Sequence, residues 1–338
     1  MSLMKIPPQL RCIPHGEQIT TGDGFARVES MRELICAQGC KYPVVKNVPR
    51  FVPASSYADA FGLQWNTFRK TQLDSYTKTT ISHDRLARCL GGSLEVVRGK
   101  TVLEVGCGAG RFTELMLGAG ATVFACDLSS AVEANYENCG NADNYFVCQA
   151  DAHHIPIEPN SFDFVVCLGV VQHTPNSEET IAALTRYLKP GGTLVLDHYT
   201  YGFPHNDFQN WLRSVLIRLS PRTAKLITLS MVRLLLPLHR LGWSKKRGRW
   251  RVRRFLRKYS PVVDYYEAYP QLGHFLSEWA LLDTHDTLTD YYKHFRSVEE
   301  IENCLRECGL EDLVAYYGGN GVEARARMPL VNENRKRA

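Results

Sequence analysis

The chain has 338 residues, 44% of them hydrophobic, and a formal net charge of +5, which is enough apolar material for a sizeable core. No run reaches the roughly 18 apolar residues of a membrane span, and Met1-Ser-Leu-Met-Lys5 leads into no secretory signal. Eleven cysteines, several of them inside expected buried strands (Cys126, Cys148, Cys167), read as reduced cytosolic thiols rather than a disulfide framework.

Residues 1–55 read as a separate small module. Cys12-Ile-Pro-His15 and Cys36-Ala-Gln-Gly-Cys40 form two knuckles about twenty residues apart, and Tyr42 to Phe51 follows them. This arrangement resembles a short zinc ribbon. Zinc takes four ligands in a tetrahedron, and Cys12, His15, Cys36 and Cys40 offer three thiolates and one imidazole. His15 stands where such ribbons usually have cysteine, and the second knuckle has a three-residue gap. A zinc-holding ribbon and a metal-free one both fit, and a metal-free one would have to lean on the main domain.

Residues 56–100 read as a helical linker. Tyr57, Phe61, Trp65 and Phe68 recur at three- and four-residue spacing, on one helix face. That face is either plain core or part of a lid.

A short apolar run then ends in Glu104-Val-Gly106-Cys107-Gly108-Ala-Gly110, followed by an amphipathic segment from Phe112. Strand, glycine turn and helix in this order build a ligand crevice at the carboxyl end of a parallel strand. Arg111 replaces the third glycine of the dinucleotide fingerprint. Glu104 would repel a pyrophosphate but would hold a ligand carrying an ammonium and a sulfonium. A second strand, 122–126, ends in Asp127, placed to accept ribose hydroxyls. Strands 145–150 and 162–167 end in Asp151 and in Leu168-Gly169. A helix over 177–188, the turn Lys189-Pro-Gly-Gly192 and a fifth strand, 193–197, complete an α/β order.

These residues resemble the class I S-adenosylmethionine (SAM) dependent methyltransferases, in the group that includes the ubiquinone-biosynthesis enzymes. The resemblance covers roughly residues 100–200 and a short tail segment. It rests on Glu104 to Gly110, Asp127, Asp151-Ala152, Phe162-Asp163 and Leu188 to Gly192. It implies a Rossmann-like, seven-stranded sheet over 101–202, completed by 297–330. It further implies that Glu104, Gly106, Cys107, Gly108 and Gly110 hold the methionine part of SAM. Asp127 and Leu128 would meet the ribose, Asp151 and Ala152 the adenine edge, and Leu168 and Gly169 would line the same pocket. Similar zinc ribbons precede many bacterial methyltransferase domains.

Methyl transfer needs an acceptor aligned with the donor, and a proton removed if the acceptor is a hydroxyl. His173, in the loop after the fourth strand, is the first candidate base, with a pocket-shaping role as its alternative. Beyond Tyr199, residues 203–296 intervene before the last helix and strands. Residues 207–219 and 223–241 show helical periodicity. Residues 202–260 hold fifteen Lys or Arg against one acid, Asp207. Ten of these basic residues lie in 240–258, interleaved with Trp243, Trp250, Phe255 and Leu256. A solvated lid, a peripheral membrane contact through 223–258 and a nucleic-acid strip all fit that pattern. Next, residues 283–294 carry Asp283, His285, Asp286, Tyr292 and His294. Related enzymes wall the acceptor pocket with such a region, which makes Asp283, Tyr199, Tyr292 and His294 substrate candidates. His285 and Asp286 are alternative bases. Ser297 to Cys308 opens with a capping box, 310–317 and 322–327 fit a final hairpin, and 331–338 is a basic tail.

The expectation is a cytoplasmic SAM-dependent methyltransferase, O-methylating a small-molecule or glycan/lipid-linked acceptor. RNA methylation and a non-catalytic binding role are the rivals.

Overall fold

A computed structural model of the chain describes residues 4–19, 31–53, 55–202, 206–242 and 249–330; the basic tail and Trp243 lie outside them. The centre is a seven-stranded sheet in the order β6-β5-β4-β7-β8-β10-β9. Its strands are β4 (Thr101–Val105), β5 (Thr122–Asp127), β6 (Tyr145–Gln149), β7 (Phe162–Cys167), β8 (Leu188–His198), β9 (Glu311–Gly318) and β10 (Gly321–Arg327). The first five are parallel, and β10 runs antiparallel to both β8 and β9. Strands β4, β5 and β6 are buried along nearly their whole length. A parallel sheet covered on both faces requires that, which is why these segments read as unbroken apolar runs and not as alternating ones.

The helices between strands are short: α4 (Thr113–Gly118), α5 (Val132–Cys139) and α6 (Ser177–Thr185). Asn176 starts α6 by accepting from the N–H groups of Glu178 and Glu179. The expected helix to Leu188 stops at Thr185, and the expected turn Lys189–Gly192 is part of β8 instead. A register irregularity on β7 between Phe162 and Phe164 absorbs the glycines. Backbone bonds to Met328 from both Gly191 and Gly192 hold them in the sheet.

The N-terminal module is a three-stranded antiparallel sheet of β1 (Glu33–Ile35), β2 (Lys41–Val45) and β3 (Val48–Pro49). It leans on the main domain. Phe51 donates its N–H to the Gln149 carbonyl, Arg11 to that of Pro156, and Arg50 pairs with Glu133 at 2.8 Å. The linker is three helices, α1 (Asp59–Thr67), α2 (Asp74–Thr77) and α3 (Ile81–Leu90).

The insertion is helical: α7 (Asp207–Leu216), α8 (Pro221–Gly242), α9 (Arg249–Tyr259) and α10 (Leu276–Thr289). Helix α7 begins with a complete capping box between Asn206 and Gln209, and α11 (Val298–Glu307) with the expected one between Ser297 and Glu300; such caps each contribute about 1 kcal/mol. Helix α10 carries little helical periodicity in its sequence. Its acids and histidine make its overall amphipathicity weak, yet Trp279, Ala280, Leu282, Thr284, His285, Leu288 and Thr289 are buried. One small core joins Ile81 of α3 to Leu272, Leu276 and Trp279, and another, of Val232, Leu236, Val262 and Ala280, lies within the insertion.

Candidate active site

The carboxyl ends of β4, β5 and β7 open into a cavity of about 950 Å³, roofed by α1 and the insertion. Its floor is the glycine turn after β4. Gly106 has φ +74°, and a Cβ there would lie 2.1 Å from Val170 Cγ2. Gly108 has φ +49°, and a Cβ would press on the Trp65 indole at 3.3 Å. Only glycine permits both the left-handed backbone and this close approach.

Glu104 stands behind the turn rather than on the cavity wall. Successive strand side chains point to opposite faces, and Val105 lines the cavity. Glu104 therefore meets α4, accepting the Thr113 hydroxyl at 2.5 Å. Asn135 donates to Thr113 Oγ1 and to the Cys107 carbonyl, and Tyr145 donates to Asn135. Burial pushes Glu104 up to about 8, with Thr113 opposing and Asp127 adding. The group braces the turn from below in a polar network that holds no spare charge at neutral pH.

Asp127 ends β5 on the wall. Its Oδ2 accepts the Gly108 N–H at 3.0 Å, and its Oδ1 accepts the Ser129 N–H and hydroxyl at 2.8 and 2.7 Å. Burial raises its pKa while these donors lower it. An ionised carboxylate has about four acceptor positions, so one remains for a ligand hydroxyl. Leu128, Asp151, Ala152, His153, Leu168 and Gly169 follow along the same wall. Asp151 Oδ1 is turned toward His153 at 3.0 Å, whereas His154 is exposed. Gly169 donates its N–H to buried Asp197 at 2.6 Å, and Asp197 also pairs with Arg85.

On the opposite wall stand Tyr57 before α1, Phe61 and Trp65 from α1, Arg85 from α3, Arg111, His173, Tyr199, Tyr265, Asp283 and Asp286. The aromatic face of the linker is thus a wall of the cavity. Arg111, in the place of the third glycine, lies over the rings of Phe112 and Trp279 at 5.2 and 5.6 Å and donates to Gln72 and Ser82. Burial and neighbouring Arg85 lower it to about 10. Asp283 accepts from Gln72 at 3.2 Å; burial and Asp286 push it up to about 7, against Arg111. Asp286 accepts from Gln64 at 3.1 Å.

The cavity gathers His173, Tyr199, Asp283 and Asp286, but not His285, Tyr292 or His294. His285 points into the packing of α10, where Nδ1 meets Gln64 Oε1 at 2.8 Å. Burial lowers it to about 4. Tyr292 sets its ring edge-on to Tyr57, with His294 stacked on it. Residues that the sequence reading did not single out include Arg85, Gln64, Gln72 and Tyr265. At the outer end of the cavity, His239 joins Asp264 and Ser260 at 2.9 and 2.8 Å, clasping α8 to the segment after α9. Helical spacing over 283–290 was the available signal: Asp283, Asp286 and Asp290 fall three and four residues apart.

In the module, Cys12, His15, Cys36 and Cys40 converge, their ligand atoms all within 4.8 Å of one another. The three sulfurs lie 3.5, 3.6 and 3.6 Å from His15 Nδ1. Three soft sulfurs and one imidazole at tetrahedral spacing fit zinc.

Residues 103–196 match the family model described as "Methyltransferase domain". The ubiquinone biosynthesis O-methyltransferase of Thiobacillus denitrificans is 37% identical over 98 residues, 28% of this chain and 42% of that protein. That of Azoarcus sp. is 34% identical over 128 residues, 37% and 54% of the two chains. The chain thus spans about half the length of the curated relatives it matches. Among solved structures, phosphoethanolamine N-methyltransferase 2 of Haemonchus contortus in complex with SAM aligns with TM-score 0.45 and 16% identity, over 78% of this chain and 46% of that one. The matched stretch takes in the Gly106–Gly110 turn, Asp127 and the five parallel strands from the end of β4 to most of β8, and it carries a SAM-dependent methyltransferase domain.

Proposed function

We propose that the chain is an O-methyltransferase acting on a small-molecule or glycan/lipid-linked acceptor. The observation that carries this reading is the continuity of one cavity, from the glycine cradle to His173, Tyr199, Asp283 and Asp286. SAM supplies an electrophilic methyl group when bound. The chain's own part is to seat and deprotonate the acceptor. The His173 ring is held between Phe61 and Tyr199, each centroid 5.2 Å away. Its Nδ1 lies 3.0 Å from the Tyr292 carbonyl. A carbonyl can only accept, so Nδ1 carries the hydrogen and Nε2 of the neutral ring is bare. A bare imidazole nitrogen on the cavity wall suits removal of a hydroxyl proton. Trp65, Tyr265, Tyr269 and Trp279 give the acceptor an aromatic surround.

A membrane-associated acceptor is supported by a separate feature. Val252, Phe255 and Tyr259 on α9 are 42, 62 and 53% exposed, a stripe flanked by Arg251 and Arg254. Exposed Leu234, Leu238 and Leu241 repeat the pattern on α8. No helix among the described residues is long and apolar enough to cross a membrane. Apolar stripes with basic flanks fit peripheral contact with anionic lipid on the cytoplasmic side. An RNA acceptor is less well supported, since Arg213 and Arg253 are paired with Asp290 and Glu267. Zinc, held by Cys12, His15, Cys36 and Cys40, would supply folding energy to the module and take no part in the chemistry.

The test is SAM with a labelled methyl, added with the purified protein to host extract split into lipid, polar small-molecule and RNA fractions. Label in lipid or small molecules is the expected result. Label confined to RNA would overturn the acceptor class.

A further inference from the structure

Asp290, the residue that ends α10, is 1% exposed and lies behind His173. Its Oδ2 is 3.5 Å from His173 Nδ1 and 3.0 Å from Lys293 Nζ, and no hydrogen bond satisfies that oxygen. Its Oδ1 accepts from Arg213 Nε at 2.6 Å. Arg213 comes from α7, the first helix of the insertion, and its fork also reaches the carbonyls of Asp290 and Tyr291. The neighbouring strand of chain is tied to the same turn, because His294 donates its N–H to Gln172.

We propose that Asp290 is the positioning residue of His173, and that Arg213, reaching in from α7, sets how strongly it acts. This rests on His173 being the proton acceptor of the reaction above. When the acceptor O–H gives its proton to Nε2, the oxygen keeps the electron pair and the ring becomes imidazolium. The new charge then faces Asp290, whose Oδ2, paired with Lys293, is already beside Nδ1. A buried carboxylate this close favours the charged ring. Arg213 and Lys293 oppose that effect by neutralising the carboxylate in advance. The groups facing the ring are Phe61 from α1, Tyr199 after β8 and Asp290 after α10; Arg213 and Lys293 pair with that carboxylate, and Asp286 adds a like charge near it. Both nearest cations belong to the insertion, Arg213 on α7 and Lys293 after α10, so removing Arg213 isolates the contribution of α7.

The two partners pull in opposite directions, which makes the proposal testable without an identified acceptor. The full chain is labelled with [15N]histidine, and the His173 signals are identified by their loss in His173→Ala. In Asp290→Asn the titration midpoint of His173 is expected to fall by about one pH unit or more, because the favourable charge is gone. In Arg213→Met it is expected to rise, because a cation is gone while the carboxylate stays. Calorimetric SAM affinity is expected to hold in both. Loosened packing would instead drive both variants toward one free-imidazole value. An unchanged midpoint in Asp290→Asn, or shifts of the same sign, would overturn the proposal. If Asp290→Asn does not fold, a midpoint that stays or falls in Arg213→Met overturns it equally. Retained turnover in His173→Ala would remove the base reading alone, since these titrations do not depend on turnover.

Discussion

One wall of the cavity is made mainly of backbone and the other mainly of side chains. The glycine turn after β4 offers backbone free of side chains and close approach at Gly106 and Gly108, with Asp127 aligned by the Gly108 N–H. The facing wall, mainly from α1, α3 and the insertion, offers aromatic rings, arginines and carboxylates. A backbone wall recognises something that never changes, because any added Cβ ruins it. A side-chain wall can be respelled residue by residue without disturbing the sheet. The division suits a constant methyl donor on one side and a particular acceptor on the other.

The sharpest break of that comparison is at the backbone wall. Gly106→Ala places a Cβ 2.1 Å from Val170 Cγ2 at a φ of +74°, so something must shift. SAM affinity is expected to fall by about 100-fold or more, roughly 2.7 kcal/mol, with circular dichroism unchanged. Calorimetry checks it, and retained affinity would mean the cradle does not touch the donor. On the side-chain wall, His173→Ala is expected to lower turnover by about 100-fold while leaving SAM affinity intact. Near-normal turnover would reduce His173 to a shape element. Asp127→Ala, where the two walls meet, is expected to weaken SAM by about tenfold, near 1.4 kcal/mol. An unchanged calorimetric constant would remove Asp127 from the ribose.

The backbone wall was legible in the sequence because its constraints are local. Glycine spacing, a strand-ending acid at Asp127 and turn residues each have a single structural meaning within a few positions. Even there one side chain escaped. Glu104 reads as a ligand group, but strand alternation turns it toward Thr113, and the residue count alone does not say which face of β4 looks into the cavity. The side-chain wall was only partly legible. His173 and Tyr199 follow strand ends and could be named, as could Tyr57, Phe61 and Trp65 from their helical spacing. In 283–294 the polar residues hid a helix. Asp283 and Asp286 turn to the cavity while His285, between them, is buried against Gln64. Polar residues on both a cavity face and a core face weaken the amphipathic signal that marks a helix. Arg85 and Arg213 were unreadable for a different reason. Their partners Asp197 and Asp290 are 112 and 77 residues away, and no local pattern announces such a pair.

A stability test sharpens the comparison most, because it asks whether the side-chain wall costs the fold anything. Burial and Asp286 hold Asp283 at about 7 against an ordinary 3.8. The folded chain then binds a proton that the unfolded chain has released across that window. Stability contributed by this group falls as pH rises from about 4 to 7, since folding binds more protons than unfolding there. Below about 4 both states are protonated and the penalty vanishes. Asp283→Asn cannot ionise, so its melting temperature is expected to fall less between pH 4 and 7 than that of the unaltered chain. The two curves should converge at the acid end, apart from a constant offset for the amide. Parallel curves would mean that Asp283 ionises as easily in the cavity as in water. A flattened curve would mean that the acceptor wall keeps a carboxylate poised near neutrality at the expense of stability, as functional sites commonly do.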